Sequence, residues 1–178
     1  NEITQGGCLA LGAEQDGIDA NYESEQTFNG DFAELIIFNM EINPAQRKII
    51  HNYLSSKYDI ALSANDMYAY DKDNSTHPHY YHNVSRIGRE NSSNMHTDSK
   101  GRSRVRINNA SSLGDGDYLF WGDDNTAVDG DINSLTVPWT GTPNGVGNFM
   151  PRVWRVDETG DVGLVTVRVD LSGWTFNS

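Results

Sequence analysis

Two patterns of apolar and polar residues follow one another early in the chain. Residues 32–38 read FAELIIF and are apolar on both faces except at Glu34, which is typical of a strand buried in a sandwich core. A helix is predicted over 44–58, because Asn43 can cap it, a proline fits its first position, and Gln46 can complete a capping box. Its apolar stripe consists of Ala45, Ile49, Ile50, Tyr53, Leu54 and Tyr58. Such a stripe predicts a helix docked on a core.

Downstream of the helix the pattern changes to short strands separated by Gly, Asp and Asn. Strands are predicted over 117–121, 152–156 and 164–171, with a further short one near 135–139. In the strand over 164–171 the residues expected to face inward are Val165, Val167, Val169 and Leu171. Residues 157–161 have the composition of a hairpin loop. Many short strands and one helix predict a mainly β protein built as a β-sandwich.

Charge and hydropathy limit the classes of partner. The chain has 25 acidic and 13 basic residues, a formal net charge of −12. Nucleic-acid binding depends on a basic surface, so we expect no nucleic-acid partner. No apolar run reaches the roughly 18 residues of a spanning helix, so we expect no membrane insertion. The single Cys8 cannot form an internal disulfide.

The N-terminal third resembles the end of a laminin-G or concanavalin-like jelly roll in three segments: GCLALGAEQD from Gly7, FNGDFAELIIFN, and NPAQRKIIHNYLSSKYDI. VSRIGRE, DYLFWGDDN and RVWRVDETGDVGLVTVRVDLS resemble the uncharacterised β-rich domain that often follows it in large bacterial surface proteins. The resemblance implies that residues 1–61 close a jelly roll with the helix 44–58. Residues 62–178 would then form a second antiparallel β-sandwich. A truncated C-terminus of this second domain is a further expectation.

The resemblance also implies a secreted or cell-surface bacterial protein. The leading prediction is a non-enzymatic module, either for adhesion, as in an adhesin, or for extracellular scaffolding. Its partner would be a glycan or a protein on a surface. The alternatives are a calcium-dependent carbohydrate-binding module and a lectin-fold glycosidase fragment. We expect that the chain is not an enzyme. A retaining glycosidase needs a pair of carboxylates, and Glu34 is the only acid of its strand. The sequence also contains no G-x-S-x-G or H-E-x-x-H motif.

Aromatic side chains beside polar loops are the candidates for glycan binding, because a flat ring packs on sugar C–H groups. They are Tyr80, Tyr81, Trp139, Phe149 and Trp174. Trp121 and Trp154 lie within alternating strands and are expected in the core. Arg102, Arg104 and Arg106 share one face of a period-two pattern and could bind a sulfated or uronic sugar. Pairing of these arginines with carboxylates on a neighbouring strand is the favoured alternative.

Aspartates crowded into loops are the candidates for calcium binding, since calcium prefers carboxylate and carbonyl oxygens. They are Asp71, Asp73, Asp123, Asp124, Asp129 and Asp131. None of these runs is an EF-hand loop. The favoured alternative for any single cluster is that its aspartates form turns and keep the protein soluble. Calcium is therefore a hypothetical cofactor, because these patterns are compatible both with a calcium site and with turns that bind no metal.

Self-association is predicted from the first unit. About 60 residues form only three or four strands of ordinary length. A strand over 32–38 that is apolar on both faces needs a further layer to cover it. We therefore expect residues 1–60 to pack against the second unit, a neighbouring copy or upstream sequence. If copies provide the cover, the contact need not close and can propagate head to tail as a filament.

Overall fold

The computed structural model describes residues 11–12, 27–72, 76, 79–102, 104–128, 130–131 and 148–172. The chain divides into two compact units, residues 1–40 and residues 41–178. The elements within the described residues are α1 (Pro44–Tyr58), β1 (His82–Asn91), β2 (Asn94–His96), β3 (Asp98–Lys100), β4 (Val105–Asn108), β5 (Tyr118–Asp123), β6 (Gly130–Asp131), β7 (Asn148–Phe149), β8 (Trp154–Thr159) and β9 (Thr166–Val169). No helix in these ranges is long and apolar enough to span a membrane.

The strands of the second unit form antiparallel sheets. A four-stranded sheet has the order β2-β1-β5-β8, a three-stranded sheet has the order β3-β4-β9, and β6 pairs with β7. Helix α1 contacts β1 and β2 of the four-stranded sheet. The predicted mainly β, sandwich-type fold is confirmed, and the helix adds a layer to it.

The central strand β5 is buried along its whole length, because both of its faces are covered. Leu119 and Trp121 face the three-stranded sheet and belong to a cluster of Ile87, Val105, Ile107, Leu119, Trp121 and Val162. Tyr118 and Phe120 face the helix and pack with Tyr68 and Val84. The predicted core position of Trp121 is confirmed, and Trp154 packs against the same cluster from its rim.

The predicted helix start is confirmed in detail. The Asn43 side chain accepts a hydrogen bond from the Gln46 amide at 2.9 Å, and Gln46 Oε1 accepts one from the Asn43 amide at 2.9 Å. Asn43 Nδ2 also donates to the Met95 carbonyl at 3.2 Å, which ties the helix start to β2. Asp59 ends the helix in the left-handed conformation. The helix lies in the unit of residues 41–178, whereas the domain boundary at residue 61 stays a prediction.

The prediction of a buried strand over residues 32–38 is wrong. Residues 31–38 lie outside any strand of the described structure. Phe32, Ile37 and Phe38 are 61%, 68% and 44% exposed. A two-faced apolar strand needs a layer on each side, and the described residues of the first unit provide neither.

The prediction of a hairpin at residues 157–161 is also wrong. Strand β8 extends to Thr159 and pairs with β5, whereas β9 pairs with β4 of the other sheet. The connection therefore passes from one sheet to the other, and Val162 within it is buried in the sandwich core. Turn composition signals a change of direction but does not identify the strand that the chain joins next.

The last strand has the predicted facing but not the expected burial. Val167 and Val169 lie opposite Ile107 and Val105 in the register, so they share the core-facing side of the sheet. They are nevertheless 55% and 46% exposed, and Leu171 is exposed as well. Strand β9 is an edge strand, so only Val165, just before it, reaches the core cluster. The short strand predicted near 135–139 lies outside the described residues.

Candidate functional site

A depression beside the second half of α1 combines aromatic with basic side chains, and we call it the basic aromatic pocket. Its volume is about 170 Å³. It is lined by Tyr53, Lys57, Tyr81, His82, Asn83 and Arg102. These residues come from the helix, from the start of β1, and from the connection between β3 and β4.

An irregularity in β1 shapes one wall of the pocket. The pairing of β1 with β5 shifts register between His82 and Ser85, and such bulges turn side chains in a new direction. Asn83 adopts φ 51° at this point. Its Nδ2 donates to both carboxylate oxygens of Asp123, at 3.1 and 3.0 Å. The buried Asp123 therefore holds Asn83 in place.

The backbone just before Tyr81 is fixed from the core. The Tyr68 hydroxyl donates to the Tyr80 carbonyl at 2.6 Å. Both atoms lie above Gly122, where any Cβ would overlap them. Burial, and then the nearby Asp157, raises the pKa of Tyr68 above its ordinary value, so this hydroxyl remains a donor.

A close approach of two chain segments brings Arg102 to the pocket. A Cβ at Gly101 would lie 2.9 Å from the Asn83 carbonyl oxygen and 2.9 Å from Ser85 Cβ. Only glycine lets the β3–β4 connection pass so near β1. The next residue, Arg102, then lines the pocket beside Asn83.

The three arginines predicted as a possible anion ladder have separate surroundings. Arg104 Nη1 donates to the carbonyls of Asp170 and Ser172 at 2.9 and 2.8 Å. Arg106 forms an ion pair with Asp98. The ladder is therefore wrong as a single site, and the favoured pairing with a carboxylate is confirmed for Arg106. Within the described part of the chain, Arg102 is the arginine of this set that lines a pocket.

Lysine and tyrosine from the helix form the opposite wall. Lys57 Nζ donates to the Tyr53 hydroxyl at 2.9 Å. The same ammonium lies 5.2 Å from the ring centroids of Tyr53 and Tyr58, a cation–π arrangement. The lysine charge is thus held at the pocket wall by the aromatic rings.

The rings of Tyr81 and His82 contact each other in the pocket, with centroids 4.0 Å apart and planes tilted by 36°. Burial and the charge of Arg152 lower the pKa of His82, and the opposing effects of Asp123 and Asp124 do not restore it. His82 is therefore uncharged at neutral pH. The positive charges of the lining at that pH are those of Lys57 and Arg102.

The predicted aromatic candidates are distributed over several places. Tyr81 lines the pocket, whereas the Tyr80 ring packs on the guanidinium of Arg155, whose Cζ lies 5.2 Å from the Tyr80 centroid and 5.0 Å from that of Tyr70. Trp139 and Trp174 lie outside the described residues, and Phe149 is placed in β7 without a described side chain.

Two of the predicted calcium ligands, Asp123 and Asp124, accept hydrogen bonds from protein groups. Asp123 binds the Asn83 side chain, and Asp124 Oδ1 accepts from the amides of Thr126 and Val153 at 3.1 and 3.2 Å. Asp73 and Asp129 lie outside the described residues, and Asp131 is placed in β6 without a described side chain.

Asp71 lines a depression of about 70 Å³ together with Asp59. There Lys72 Nζ lies 3.2 Å from Asp59 Oδ2 and supplies a counter-charge. Over the described ranges no three His, Cys, Asp or Glu side chains are grouped so as to hold a metal ion. The calcium site stays a prediction.

A larger groove of about 470 Å³ lies at the end of β4. Its lining consists of Arg89, Met95, Thr97, Asp98 and residues 108–113, without an aromatic ring. Its charged groups are paired, Arg89 with Asp115 at 2.7 Å and Asp98 with Arg106. The basic aromatic pocket is therefore the better candidate site, although it is smaller.

The sequence patterns identified Tyr81 and Arg102 as candidates but missed the helix residues of the pocket. Tyr53 was assigned to the apolar stripe of the helix. Tyr53 and Lys57 are four residues apart, and this spacing on a helix predicts that their side chains meet. Nothing in the local pattern shows that this pair faces Arg102, because that proximity depends on how α1 docks on β1.

Comparison with known proteins assigns most of the chain to a family. A family model described as "Domain of unknown function (DUF8202)" matches residues 46–178. The chain belongs to the DUF8202 family. The DUF8202 match includes every residue that lines the basic aromatic pocket. It supports the predicted resemblance to an uncharacterised β-rich domain, while no laminin-G assignment is found.

A second similarity covers a shorter part of the chain. C-reactive protein 1.4 of Limulus polyphemus is 39% identical over 46 residues, which are 26% of this chain and 19% of that protein. The matched part is thus about a fifth of the length of the relative. No solved structure matches the chain.

Proposed function

We propose that this DUF8202 chain is a non-enzymatic glycan-binding module that serves adhesion on a bacterial cell surface or in the extracellular space. The observation that carries the proposal is the basic aromatic pocket, where tyrosine rings, a side-chain amide and two cations converge. Binding sites commonly combine an apolar wall with a few fixed polar groups. The partial similarity to a C-reactive protein, a lectin-fold relative, supports the same reading.

Each lining residue has a role that suits a sugar ring. The Tyr81 ring offers an apolar surface to C–H groups and is held by its contact with the tilted ring of His82. The bonds from Asn83 Nδ2 to Asp123 hold the Asn83 side chain in a fixed orientation, and its Oδ1 is the atom that can accept a hydrogen bond from a ligand. Lys57 and Arg102 donate hydrogen bonds to hydroxyl or anionic oxygens. Preorganised groups of this kind lower the entropic cost of binding.

The test is a glycan array followed by titration calorimetry on the best ligands, with Tyr81→Ala as the diagnostic variant. We expect Tyr81→Ala to weaken binding about fivefold or more, because a lost aromatic packing contact costs about 1 kcal/mol or more. Tyr80→Ala is the matched control, since its ring packs on Arg155 and does not line the pocket. Binding that survives Tyr81→Ala but not Tyr80→Ala would place the glycan site elsewhere.

The absence of catalysis is part of the proposal and is tested separately. We expect no turnover of the glycans that bind, because the sequence contains no recognisable acid pair or nucleophile–base pair. The assay is product formation from bound oligosaccharides over long incubation. Turnover that Glu34→Gln abolishes without unfolding the chain would contradict this part.

Calcium dependence is a variant of the same function. Free calcium at about 100 times its dissociation constant would stabilise the fold by about 2.7 kcal/mol. The described Asp123 and Asp124 already accept hydrogen bonds from protein donors, so calcium bound at these carboxylates would compete with those donors. A melting temperature and a glycan affinity that chelation leaves unchanged would exclude it.

A second candidate function is scaffolding by self-association, and exposed apolar side chains of the first unit favour it. Phe32, Leu35, Ile37 and Met40 are all more than half exposed. Contiguous exposed apolar surface is typical of interaction sites. We expect concentration-dependent association in sedimentation velocity that Ile37→Glu weakens.

Leu164→Glu is the matched control for that experiment, because Leu164 is 83% exposed but belongs to the other unit. An equal effect of both variants would indicate nonspecific charge repulsion. A monodisperse monomer at high protein concentration would exclude association between copies.

A further inference from the structure

We propose that the basic aromatic pocket selects an anionic sugar, one that carries a carboxylate or a sulfate ester. This inference rests on the proposed glycan binding and names the ligand class of that site. The two ligand types share one chemistry, a delocalised anion attached to a sugar ring.

The charged side chains that line the pocket are opposite in sign to the net charge of the protein. The chain has a formal net charge of −12. None of the six residues of the lining is acidic, while Lys57 and Arg102 are cationic. A concave site lined by one sign of charge concentrates ligands of the other sign. The cationic side chains of the lining would not increase the affinity for an uncharged sugar by this electrostatic effect.

Arg102 is suited to bind the anion directly. Arg104 and Arg106 in the same segment are engaged with the carbonyls of Asp170 and Ser172 and with the carboxylate of Asp98. Arg102 has no hydrogen bond or ion pair to the described residues, although aspartates are abundant in this chain. A guanidinium presents a planar fork that matches carboxylate and sulfate oxygens.

The remaining polar groups of the lining suit the sugar ring better than the anion. Asn83 Nδ2 is committed to Asp123, so the group that Asn83 offers to a ligand is its Oδ1, an acceptor for a sugar hydroxyl. His82 is uncharged at neutral pH, and its ring contacts the Tyr81 ring in a tilted arrangement. The cations thus face the anion, and the amide and rings face the sugar.

The experiment compares three oligosaccharides of equal length by calorimetry: an oligouronate, a sulfated neutral sugar, and its unsulfated parent. We expect both anionic ligands to bind at least about tenfold more tightly than the neutral one. Arg102→Gln should reduce the affinity for the anionic ligands about tenfold and leave the neutral affinity unchanged. Lys57→Gln should act in the same direction.

The matched control is Arg168→Gln, which removes the same charge from an exposed position of β9 outside the pocket. Equal loss with both arginine variants would show a nonspecific charge effect and overturn the inference. Equal affinities for anionic and neutral ligands, all sensitive to Tyr81→Ala, would also overturn it while leaving glycan binding intact. Binding of none of the three, together with an array that shows no ligand, would overturn the proposed function itself.

Discussion

The two faces of the four-stranded sheet each carry a cluster of buried residues, but the two clusters are held by different interactions. The face toward the three-stranded sheet is an apolar cluster around Ile87, Leu119 and Trp121. Its described polar contacts are few, among them a hydroxyl pair of Ser85 and Ser99 at 2.7 Å. Burial of apolar area is therefore the main stabilising contribution on this face.

The face toward the helix carries charges and hydroxyls among aromatic rings. Lys48 forms an ion pair with Glu90 at 2.6 Å, and Glu90 accepts a hydrogen bond from the Tyr118 hydroxyl. The buried Arg86 lies over the Phe120 ring, with its Cζ 5.0 Å from the centroid. Its Nε and Nη1 have no hydrogen-bond partner among the described residues.

The difference shows that the two faces of one sheet can have different roles. One face stabilises the fold by apolar burial, and the other fixes the position of the helix through defined polar contacts. An apolar face tolerates small shifts in packing, whereas hydrogen-bonded charges with defined partners permit few arrangements. The helix face positions α1, and α1 contributes two residues to the basic aromatic pocket. The predictions below test the contrast between the two faces.

The largest effect is expected on the apolar face. Trp121→Ala should reduce the free energy of unfolding by about 3–5 kcal/mol, because it leaves a cavity in the sandwich core. Val167→Ala is the control, since Val167 has the same facing but is half exposed at the edge strand. Urea unfolding measures both. Similar losses for the two variants would show that the sandwich core does not carry the stability of this face.

A change of opposite sign is expected on the helix face. Arg86→Met should leave the free energy of unfolding unchanged or raise it by about 1 kcal/mol or more, because it replaces a buried charge by an apolar chain of similar length. Burial lowers the pKa of Arg86 to about 9, although Tyr118 opposes this. Arg86→Ala should be destabilising through its cavity. A marked loss in Arg86→Met would reveal a counter-ion for this guanidinium.

A smaller effect is expected where the helix begins. Asn43→Ala should cost about 1 kcal/mol, because it removes the cap on the Gln46 amide and the bond to Met95. Asn43→Ser separates the two contributions, since serine can cap the helix but cannot reproduce the amide donor. Thermal and urea unfolding of both variants give the comparison. If Asn43→Ser is as damaging as Asn43→Ala, the bond to β2 outweighs the cap.

The smallest effect concerns pH and the end of β2. Burial, followed by the charge of Arg86, lowers the pKa of His96, while Asp98 opposes the shift. The unfolded chain therefore binds a proton at His96 at a higher pH than the folded chain does, so stability falls as the pH decreases from about 7 to 5. His96→Gln should flatten this decline in urea unfolding. An unchanged slope would assign the acid sensitivity to other groups, such as His82.

Local sequence patterns predicted the structure correctly where it depends on residues that are close together in the chain. The capping box of Asn43 and Gln46 places the start of the helix, since its partners are three residues apart. The strand of Trp121 was predicted over 117–121 and runs from Tyr118 to Asp123. Its extension past the expected turn depends on pairing with β8, which no local pattern shows.

What the tertiary structure alone decided is which patterns are buried and which residues meet. FAELIIF has a stronger buried-strand pattern than β5, yet it is exposed while β5 is covered by a sheet on one face and by a helix on the other. The basic aromatic pocket joins Lys57 to Arg102, two residues separated by 45 positions (102 − 57) in the chain. Apolar periodicity reports only a preference to be covered. Whether a cover exists, and what lies beside it, depends on contacts between segments distant in sequence.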